Sequence, residues 1–393
     1  MRLLARMSAR DPAEAHRAAT PLELFFDLSF AVAVAQAASG LEDGLAEGHA
    51  SRVLAGYPLV FFAIWWAWMN FTWFASAYDT DDVAYRVAVL VQVAGVLILA
   101  AGESRALSSE NFGVMVVGYV VMRLGMVSLW LRAAASDAGR RRCARRYAAG
   151  ITIVQACWVA WLAVPHDARI AVFVVFAAAE LAVPLWAEAA GRTAWHPGHI
   201  AERYGLFTII VLGETLLAAT VGVHAALSDR ATFGNLATVV VGGLLIVFSM
   251  WWLYFDMPSG EIVTQVRRAF TARITGAFVW GYGHYLVFAS AAAVGAGLAV
   301  AIDHVTRHSQ LTTLETGLTV TVPVTTYLLV VWALHAPHKK PSRTRTLAVP
   351  TAAALILASS FTHQAVLLSG LLLVALVSLS VATSEARADS PAA

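Results

Sequence analysis

The sequence predicts an all-α, polytopic membrane protein with about twelve transmembrane helices in two parallel six-helix repeats and with both termini in the cytoplasm. Three observations predict this fold. Of the 393 residues, 59% are hydrophobic and only 13% are charged, whereas soluble domains usually hold about 25% charged residues. Apolar runs near the length that crosses a bilayer, about 20 residues, recur along the chain. The positive residues collect in alternate loops, as in polytopic membrane proteins.

Twelve apolar segments are long enough, or nearly long enough, to cross a membrane. In the first half they are Leu22–Ala38, Leu54–Ala75, Ala84–Ala101, Phe112–Leu131, Tyr147–Val164 and Ile170–Ala187. In the second half they are Tyr204–Val223, Leu236–Phe255, Ile274–Ile302, Leu314–Leu334, Leu347–Phe361 and Ala365–Thr383. The first segment and the last two are short or weakly apolar, and each boundary is expected to shift by several residues.

The distribution of arginine and lysine orients these segments. With twelve spans and the N-terminus inside, 21 of the 27 positive residues fall on the inner side, five fall in outer loops, and Arg123 lies within a span. Cytoplasmic loops of membrane proteins carry this excess of positive charge. The first twenty residues lack the apolar core of a signal peptide, so they are expected to remain as a basic cytoplasmic segment.

The two halves of the chain have a similar design. The first opens with LELFFDLSFAVAVAQ and the second with AERYGLFTIIVLGET, and the next helix of each carries a tryptophan pair, in WWAWMNFTWFASAYD and WWLYFD. Six spans per half is an even number, so both halves have the same orientation, which is a parallel repeat. We therefore predict repeats at residues 21–190 and 204–384, a cytoplasmic linker at 191–203 and a disordered tail at 385–393.

Composition also limits the partners. A net charge of +2 gives no nucleic-acid footprint, and the two cysteines, Cys143 and Cys157, give neither a disulfide framework nor a metal motif. No cofactor is expected. The predicted partners are the lipid bilayer and an unknown small solute or ion, and a homodimer is left open.

Three stretches of the chain resemble the bacterial low temperature requirement protein A family. They are PLELFFDLSFAVAVAQ, WWAWMNFTWFASAYDTDD and ERYGLFTIIVLGETLLA, and the resemblance extends over about Thr20 to Thr383. It implies a multi-pass protein of the bacterial inner membrane that is linked to growth in the cold. It implies no defined molecular activity.

Carboxylates within the predicted helices are the first candidate site residues. Glu23 and Asp27 are four residues apart and share one helix face. A charge at mid-membrane costs roughly 2.5–3.5 kcal/mol on insertion scales, so both are expected to face the interior of the bundle. Glu23 could equally be a helix N-terminal carboxylate after Pro21. Glu214 falls near mid-bilayer, beside Gly213, which would permit close approach of another helix.

Other polar residues at depth extend the predicted solute or ion site. Thr208 and Thr215 lie near one helix face, and Asn70 lies in the aromatic stretch of the second span. Arg123 is a deep cation that needs an acidic partner. The candidate partners of Arg123 are Asp27, Glu180 and Glu214.

Histidines receive different interpretations according to their surroundings. His284 lies within the long ninth span, where a core role and a site role both remain open. His196 and His199 lie in the polar stretch WHPGHIAER and are expected to be solvated loop residues.

The stretch AYDTDDVAYR places Asp79, Asp81 and Asp82 at the inner end of the second span. Three aspartates could hold Mg²⁺ with a phosphate, which would make them a metal or headgroup site. The alternative is that Asp81 or Asp82 caps the third helix and pairs with Arg86.

Three functions follow from these residues. The first is a transporter or ion-coupled permease in which Asp27 and Glu214 exchange protons and Arg123 is an internal counter-ion. The second is an intramembrane enzyme that acts on a lipid or isoprenoid phosphate through the three aspartates. The third is an ion channel or a non-transporting membrane stress factor; the short loops argue against a docking scaffold.

Overall fold

The structure is a computed structural model that describes residues 2–11, 14, 17–228, 233–256, 274–306, 309–335 and 343–388. These residues form twelve α-helices and no β-strand. The helices are α1 Pro21–Ala46, α2 Ala50–Ala77, α3 Val83–Ser109, α4 Gly113–Ser136, α5 Arg141–Trp161, α6 His166–Glu188, α7 Pro197–Ser228, α8 Phe233–Phe255, α9 Ile274–Val305, α10 Thr313–His335, α11 Arg343–Ser359 and α12 Ala365–Ala388.

Ten of these twelve helices are long and apolar enough to cross a membrane. The other two are α5, which opens on a group of arginines and is apolar only from about Tyr147 onward, and α11, whose apolar part is Thr346–Ser359. The prediction of an all-α, polytopic membrane protein is confirmed. The predicted repeat of six helices and its orientation stay predictions.

Side-chain caps explain where several helices begin. Thr20 and Glu23 form a capping box at α1: the Thr20 N–H donates to Glu23 Oε2 at 2.7 Å, and the Glu23 N–H donates to Thr20 Oγ1 at 3.3 Å. A threonine and a glutamate form the same box at α10. Asp82 caps α3 by accepting from the Tyr85 N–H at 2.8 Å. Each cap satisfies backbone donors that have no partner in the first helical turn.

The chain forms two compact units. Unit 1 contains residues 1–37 and 55–206, and unit 2 contains residues 38–54 and 207–393. In unit 1, α3 packs on α4, α4 on α5 and α5 on α6. In unit 2, α9 packs on α10, and α8 packs on α12.

Glycine permits close helix contacts in both units. In unit 1, a Cβ on Gly118 would collide with the backbone of Leu99 on α3. In unit 2, a Cβ on Gly242 would lie 2.7 Å from the Leu367 backbone on α12. Small residues at such crossings let membrane helices pack backbone to backbone.

Several helix boundaries differ from the sequence prediction. The first helix continues past Ala38 to Ala46, and the seventh begins at Pro197 instead of Tyr204. Pro197 is the first helical residue, where its missing N–H costs nothing. The polar composition of WHPGHIAER predicted a loop, but much of this stretch is buried in unit 1.

The last helix also extends into the predicted tail. It reaches Ala388, so the first residues of the segment predicted to be disordered are helical. The rest of that tail, 389–393, lies outside the described residues.

Candidate functional site

Asp27 of α1 is held by an arginine near the start of α7. Arg203 donates from Nε to Asp27 Oδ2 at 2.7 Å and from Nη2 to Oδ1 at 2.6 Å, and neither side chain is exposed. The Trp68 indole N–H on α2 donates to the same carboxylate at 2.7 Å. A two-pronged arginine–carboxylate pair is among the strongest polar contacts in proteins, so the charge of Asp27 is compensated within unit 1.

Glu23 lies one turn before Asp27 and contacts three further groups. Arg17 Nη2 lies 3.2 Å from Glu23 Oε1, and His199 Nε2 lies 3.2 Å from the same oxygen. Arg203 Nη1 is 3.3 Å away. We call Arg17, Glu23, Asp27, His199 and Arg203 the ion cluster. Its two guanidinium groups and two carboxylates balance in charge.

The contacts of His199 determine its tautomer. Arg17 Nη1 lies 3.2 Å from His199 Nδ1, and a guanidinium can only donate, so Nδ1 must be the accepting nitrogen. The proton therefore sits on Nε2, from which it points at Glu23. His199 is neutral in this arrangement and relays a hydrogen bond from Arg17 to Glu23.

The ion cluster pairs residues at the same position in two helices. Both α1 and α7 begin at a proline. The third residue of each helix is Glu23 or His199, and the seventh is Asp27 or Arg203. At 1.5 Å per residue, the seventh position lies about 9 Å along the helix from its first residue. Complementary groups at equal depth therefore meet when the two helix starts lie side by side.

Donor atoms exceed acceptors in the cluster. Arg17 Nε and the nearby Tyr85 hydroxyl are buried and have no hydrogen-bond partner among the described residues, and the buried Arg203 Nη1 has only its ion-pair contact with Glu23 at 3.3 Å. Arg17 also donates to the Ala75 and Ser76 carbonyls, each at 2.7 Å. The remaining donors could bind the oxygen atoms of water or of a solute.

The prediction that His196 and His199 are solvated loop residues is wrong. His196 is 5% exposed and His199 is fully buried. The His196 backbone N–H donates to Ser76 Oγ at 2.8 Å, and its Nε2 lies 2.8 Å from the Glu14 carbonyl. Because the N-terminal segment covers this stretch, the polar side chains bond to protein groups.

Asp81 and Asp82 bond to arginines. Asp82 caps α3 and forms an ion pair with Arg132, whose Nη1 lies 3.0 Å from Asp82 Oδ1. Asp81 pairs with Arg86 at 2.7 Å on the surface. Burial opposes ionisation of Asp82, but its hydrogen bonds to Arg132 and to backbone N–H groups lower the pKa to about 2. The predicted cap of the third helix is confirmed, but Asp82 caps the helix while Arg86 pairs with Asp81.

Asp79 belongs to the surroundings of the ion cluster. It lies 3.5 Å from Arg10 and 3.8 Å from Arg17. Burial raises the pKa of Asp79, the charge of Glu23 adds to this effect, and the two arginines oppose it. The described residues contain no group of three or more His, Cys, Asp or Glu side chains that could hold a metal ion. The structure thus does not bring the three aspartates together around one point.

Arg123 pairs with Glu180, one of its three predicted partners. Arg123 Nη2 lies 3.2 Å from Glu180 Oε1 and also bonds to the Tyr119 hydroxyl. The indole N–H groups of Trp66 and Trp158 donate to Glu180 at 2.7 and 3.1 Å. All of these groups are buried in unit 1. Helix α2 thus directs one indole N–H to this carboxylate and another to the ion cluster.

His284 and Thr208 lie in a second polar group, within unit 2. His284 Nδ1 lies 2.8 Å from the Trp280 carbonyl, so this nitrogen donates, and Nε2 accepts from the Tyr254 hydroxyl at 3.0 Å. Thr208 is fully buried and hydrogen bonds to Tyr254. The predicted residues His284 and Thr208 therefore belong to a neutral hydrogen-bonded chain.

Glu214 and Asn70 differ from the other predicted residues. Glu214 is half-buried, and among the described residues it has no ion pair. A Cβ on Gly213 would meet no described atom within 4 Å, so the predicted close approach at Gly213 is wrong. Asn70 donates to the Trp66 carbonyl of its own helix at 2.7 Å, which satisfies the side chain locally.

Sequence reasoning missed three members of the ion cluster: Arg17, His199 and Arg203. It assigned the two arginines to the cytoplasmic side as topology signals and the histidine to a loop. A usable signal was present in the chain. The third and seventh residues of α1 are acidic, and those of α7, which also begins at a proline, are a histidine and an arginine.

Glu103 was also missed. It is fully buried in α3, and both carboxyl oxygens lack a partner in the described part of the chain. Its position in the sequence, close to the end of an apolar run and beside Ser104 and Arg105, is typical of an outer helix end.

The chain is similar to a described protein family and to a bacterial relative. The family model described as bacterial low temperature requirement A protein matches residues 18–381. The chain is also similar to an uncharacterised protein, RA0937, of Rhizobium meliloti (strain 1021), with 29% identity over 277 residues. That match covers 67% of this chain and 64% of the relative, so it spans less than two thirds of the relative's length. No solved structure matches.

Proposed function

The chain belongs to the bacterial low temperature requirement A family, and from the geometry of its ion cluster we propose that it is a proton-coupled permease of the bacterial inner membrane. Its substrate would be a small solute or ion. The observation that supports this proposal is the pair formed by Asp27 and Arg203, which is fully buried in helices apolar enough to span a membrane. Charged groups at such positions usually serve transport or proton relay.

The cluster offers a way to couple a proton to a movement of charge. A proton on Asp27 would cancel one of the two negative charges that hold Arg203. Arg203 Nη1 already lies 3.3 Å from Glu23, so the guanidinium could shift its main contact to that carboxylate. Proton binding would in this way change the relation between α1 and the start of α7, which are held together by these pairs.

A purely architectural cluster is the competing interpretation. Breaking a buried ion pair by removal of one partner costs about 3–5 kcal/mol, whereas replacing both partners by apolar residues is often neutral or stabilising. Loss of function in a single variant is therefore ambiguous. The double variant Asp27→Leu/Arg203→Met removes both charges and separates the two interpretations.

The test is proton flux in proteoliposomes that enclose a pH-sensitive dye, driven by an imposed potassium diffusion potential. We expect the wild type to exceed protein-free liposomes and the folded double variant to fall to that background. The control is Ser128→Ala, whose hydroxyl donates to the Gly125 carbonyl in its own helix at 2.6 Å, and it should match the wild type. Wild-type flux at background, or undiminished flux in the folded double variant, would overturn the proposal.

Glu214 is the second proposed proton-binding residue. A half-buried carboxylate without an ion pair in the described part of the chain can bind and release a proton without breaking a salt bridge. Glu214→Gln should therefore lower the flux with little change in stability. Equal flux in the wild type and in Glu214→Gln would remove this residue from the proposal and leave the role of Asp27 to be judged separately.

A further inference from the structure

A cavity of about 480 Å³ opens beside the start of α5 in unit 1. It is lined mainly by arginines, together with one tryptophan of α6. The lining residues are Ala138, Arg141, Arg142, Arg145, Arg146, Ala149 and Trp186. We call this cavity the arginine pocket.

The guanidinium groups of the arginine pocket have no carboxylate partner among the described residues. Arg141 donates to the Ala134 carbonyl at 3.1 Å, and Arg146 donates to a backbone carbonyl of α6 at 2.8 Å. Arg142 and Arg145 are exposed and make no such bond within the described part of the chain. Like charges three or four residues apart on a helix repel each other, so the bare pocket is electrostatically unfavourable.

Two acids close to the pocket in the sequence are engaged by other groups. Asp137 accepts from Arg140, which does not line the pocket, at 3.2 Å. Glu188 accepts from the Tyr147 hydroxyl at 3.0 Å and from the Thr193 hydroxyl at 2.6 Å. Neither acid is among the lining residues. The positive charge of the pocket is therefore available to a ligand.

The start of α5 adds to the attraction for an anion. The residue before the helix, Arg140, provides no side-chain cap, and the first turn contains no acid. A helix N-terminus carries partial positive charge and free N–H groups. Arginines at this end oppose the helix dipole, and a bound anion would relieve both effects.

The tryptophan indicates where the anion comes from. Trp186 is 46% exposed, and the Arg146 guanidinium lies over its ring at 5.1 Å. Exposed tryptophans of membrane proteins concentrate at the level of the lipid headgroups, and basic pockets beside membrane helices bind anionic headgroups. Guanidinium groups match phosphate with paired hydrogen bonds.

We propose that the arginine pocket binds a phosphate group, supplied by the headgroup of an anionic phospholipid, with Arg142 and Arg145 as its principal ligands. This site is separate from the ion cluster and does not depend on the proposed transport. Because the Arg142 and Arg145 side chains make no bonds to the described part of the protein, they can be changed without removing a structural contact.

The experiment measures lipid binding to the purified full-length chain by native mass spectrometry, with phosphatidylglycerol and phosphatidylcholine in competition. The variant is Arg142→Gln/Arg145→Gln. The control is Arg105→Gln/Arg192→Gln, which removes the same charge from two exposed arginines outside the pocket. One arginine beside an anionic headgroup changes the binding affinity by about fivefold. We therefore expect the variant, which lacks two arginines, to bind phosphatidylglycerol about 25-fold more weakly, and the control to bind it like the wild type.

A parallel arm follows thermal unfolding with inorganic phosphate instead of lipid. The proposal predicts stabilisation by phosphatidylglycerol that depends on Arg142 and Arg145 and exceeds that by phosphate. Two results would contradict a lipid site in the arginine pocket. The first is equal binding of the two lipids by the wild type, and the second is an equal loss of phosphatidylglycerol binding in the variant and in the control. Stabilisation by inorganic phosphate without a preference for phosphatidylglycerol over phosphatidylcholine would show that the phosphate group does not come from a lipid headgroup.

Discussion

At the scale of single residues, the cost of burying charge predicted that Asp27 faces the interior but not which residue pairs with it. Asp27 was singled out because a charge inside a predicted membrane helix is costly, and the structure shows it fully buried and paired. Its partner, Arg203, lies far away in the sequence. Partner choice depends on which helix starts lie side by side, and one sequence without its tertiary contacts does not contain that information.

His199 tests the geometry of the ion cluster. As a neutral imidazole it accepts from Arg17 and donates to Glu23. Glutamine also carries an acceptor and a donor, so His199→Gln should keep both hydrogen bonds. His199→Leu should instead remove one hydrogen-bond partner from each of the buried charged groups of Arg17 and Glu23. We expect His199→Leu to lower the free energy of unfolding by about 1–3 kcal/mol and His199→Gln to lower it less.

The measurement is thermal or chemical unfolding of the purified protein in one detergent. The matched control is a buried histidine of unit 2, because His284→Gln also keeps a donor and an acceptor for Tyr254 and Trp280. The His284→Gln variant measures how much the free energy of unfolding changes when an amide replaces a buried imidazole that is hydrogen bonded to the uncharged groups of Tyr254 and Trp280. Equal stability of His199→Leu and His199→Gln would contradict the assigned bonds.

At the scale of helices, apolar length predicted the spans well and their ends less well. The early start of α7 at Pro197 was missed because histidine, arginine and glutamate were taken as signs of solvent exposure. In this stretch His199 and Arg203 are buried by partners from α1 and the N-terminal segment. A helix start that is rich in buried polar residues has the same composition as an exposed loop. Composition therefore misplaces the boundary of a helix that begins in a polar cluster.

The start of α3 gives a prediction about pH. Asp82 has a pKa of about 2, below the usual value of about 3.9 for an unfolded chain. A lowered pKa means that ionised Asp82 stabilises the fold above about pH 4, and that this stability is lost as the pH falls towards about 2. Asparagine still caps a helix but cannot form the ion pair with Arg132, so Asp82→Asn isolates the charge.

We therefore expect Asp82→Asn to be less stable than the wild type at about pH 6, and the difference between their unfolding temperatures to narrow between about pH 4 and about pH 2. Asp81→Asn is the control, because the Asp81–Arg86 pair is exposed and exposed pairs contribute little. A difference that stays constant over this range would show that the ion pair does not supply the stability.

At the scale of the whole molecule, composition, the length of the apolar runs and the distribution of positive residues were enough to predict an all-helical membrane protein. The division of the chain into two units depends instead on tertiary contacts between residues that are far apart in the sequence. Unit 1 takes the first part of α1, most of α2, all of α3 to α6 and the start of α7, and the ion cluster joins the starts of α1 and α7 within it. Counting six spans places the boundary between the halves in a loop between two helices. It therefore cannot predict that the two ends of one helix belong to different units.

The predicted orientation can be tested on the whole chain with an impermeant maleimide. The positive-inside rule places the loop between α4 and α5 in the cytoplasm and the loop between α3 and α4 outside. Both native cysteines, Cys143 and Cys157, would first be replaced by alanine. Single cysteines would then be introduced as Arg142→Cys and Ser109→Cys, both at exposed positions.

We expect Ser109→Cys to react in intact cells and Arg142→Cys to react only after the membrane is permeabilised. The cysteine-free chain is the control for background labelling. The opposite pattern would invert the topology and place the arginine pocket on the outer face, where its phosphate ligand would have to come from the outer leaflet. Labelling of both positions in intact cells would mean that α4 does not cross the membrane, although its length and apolar composition permit it to do so.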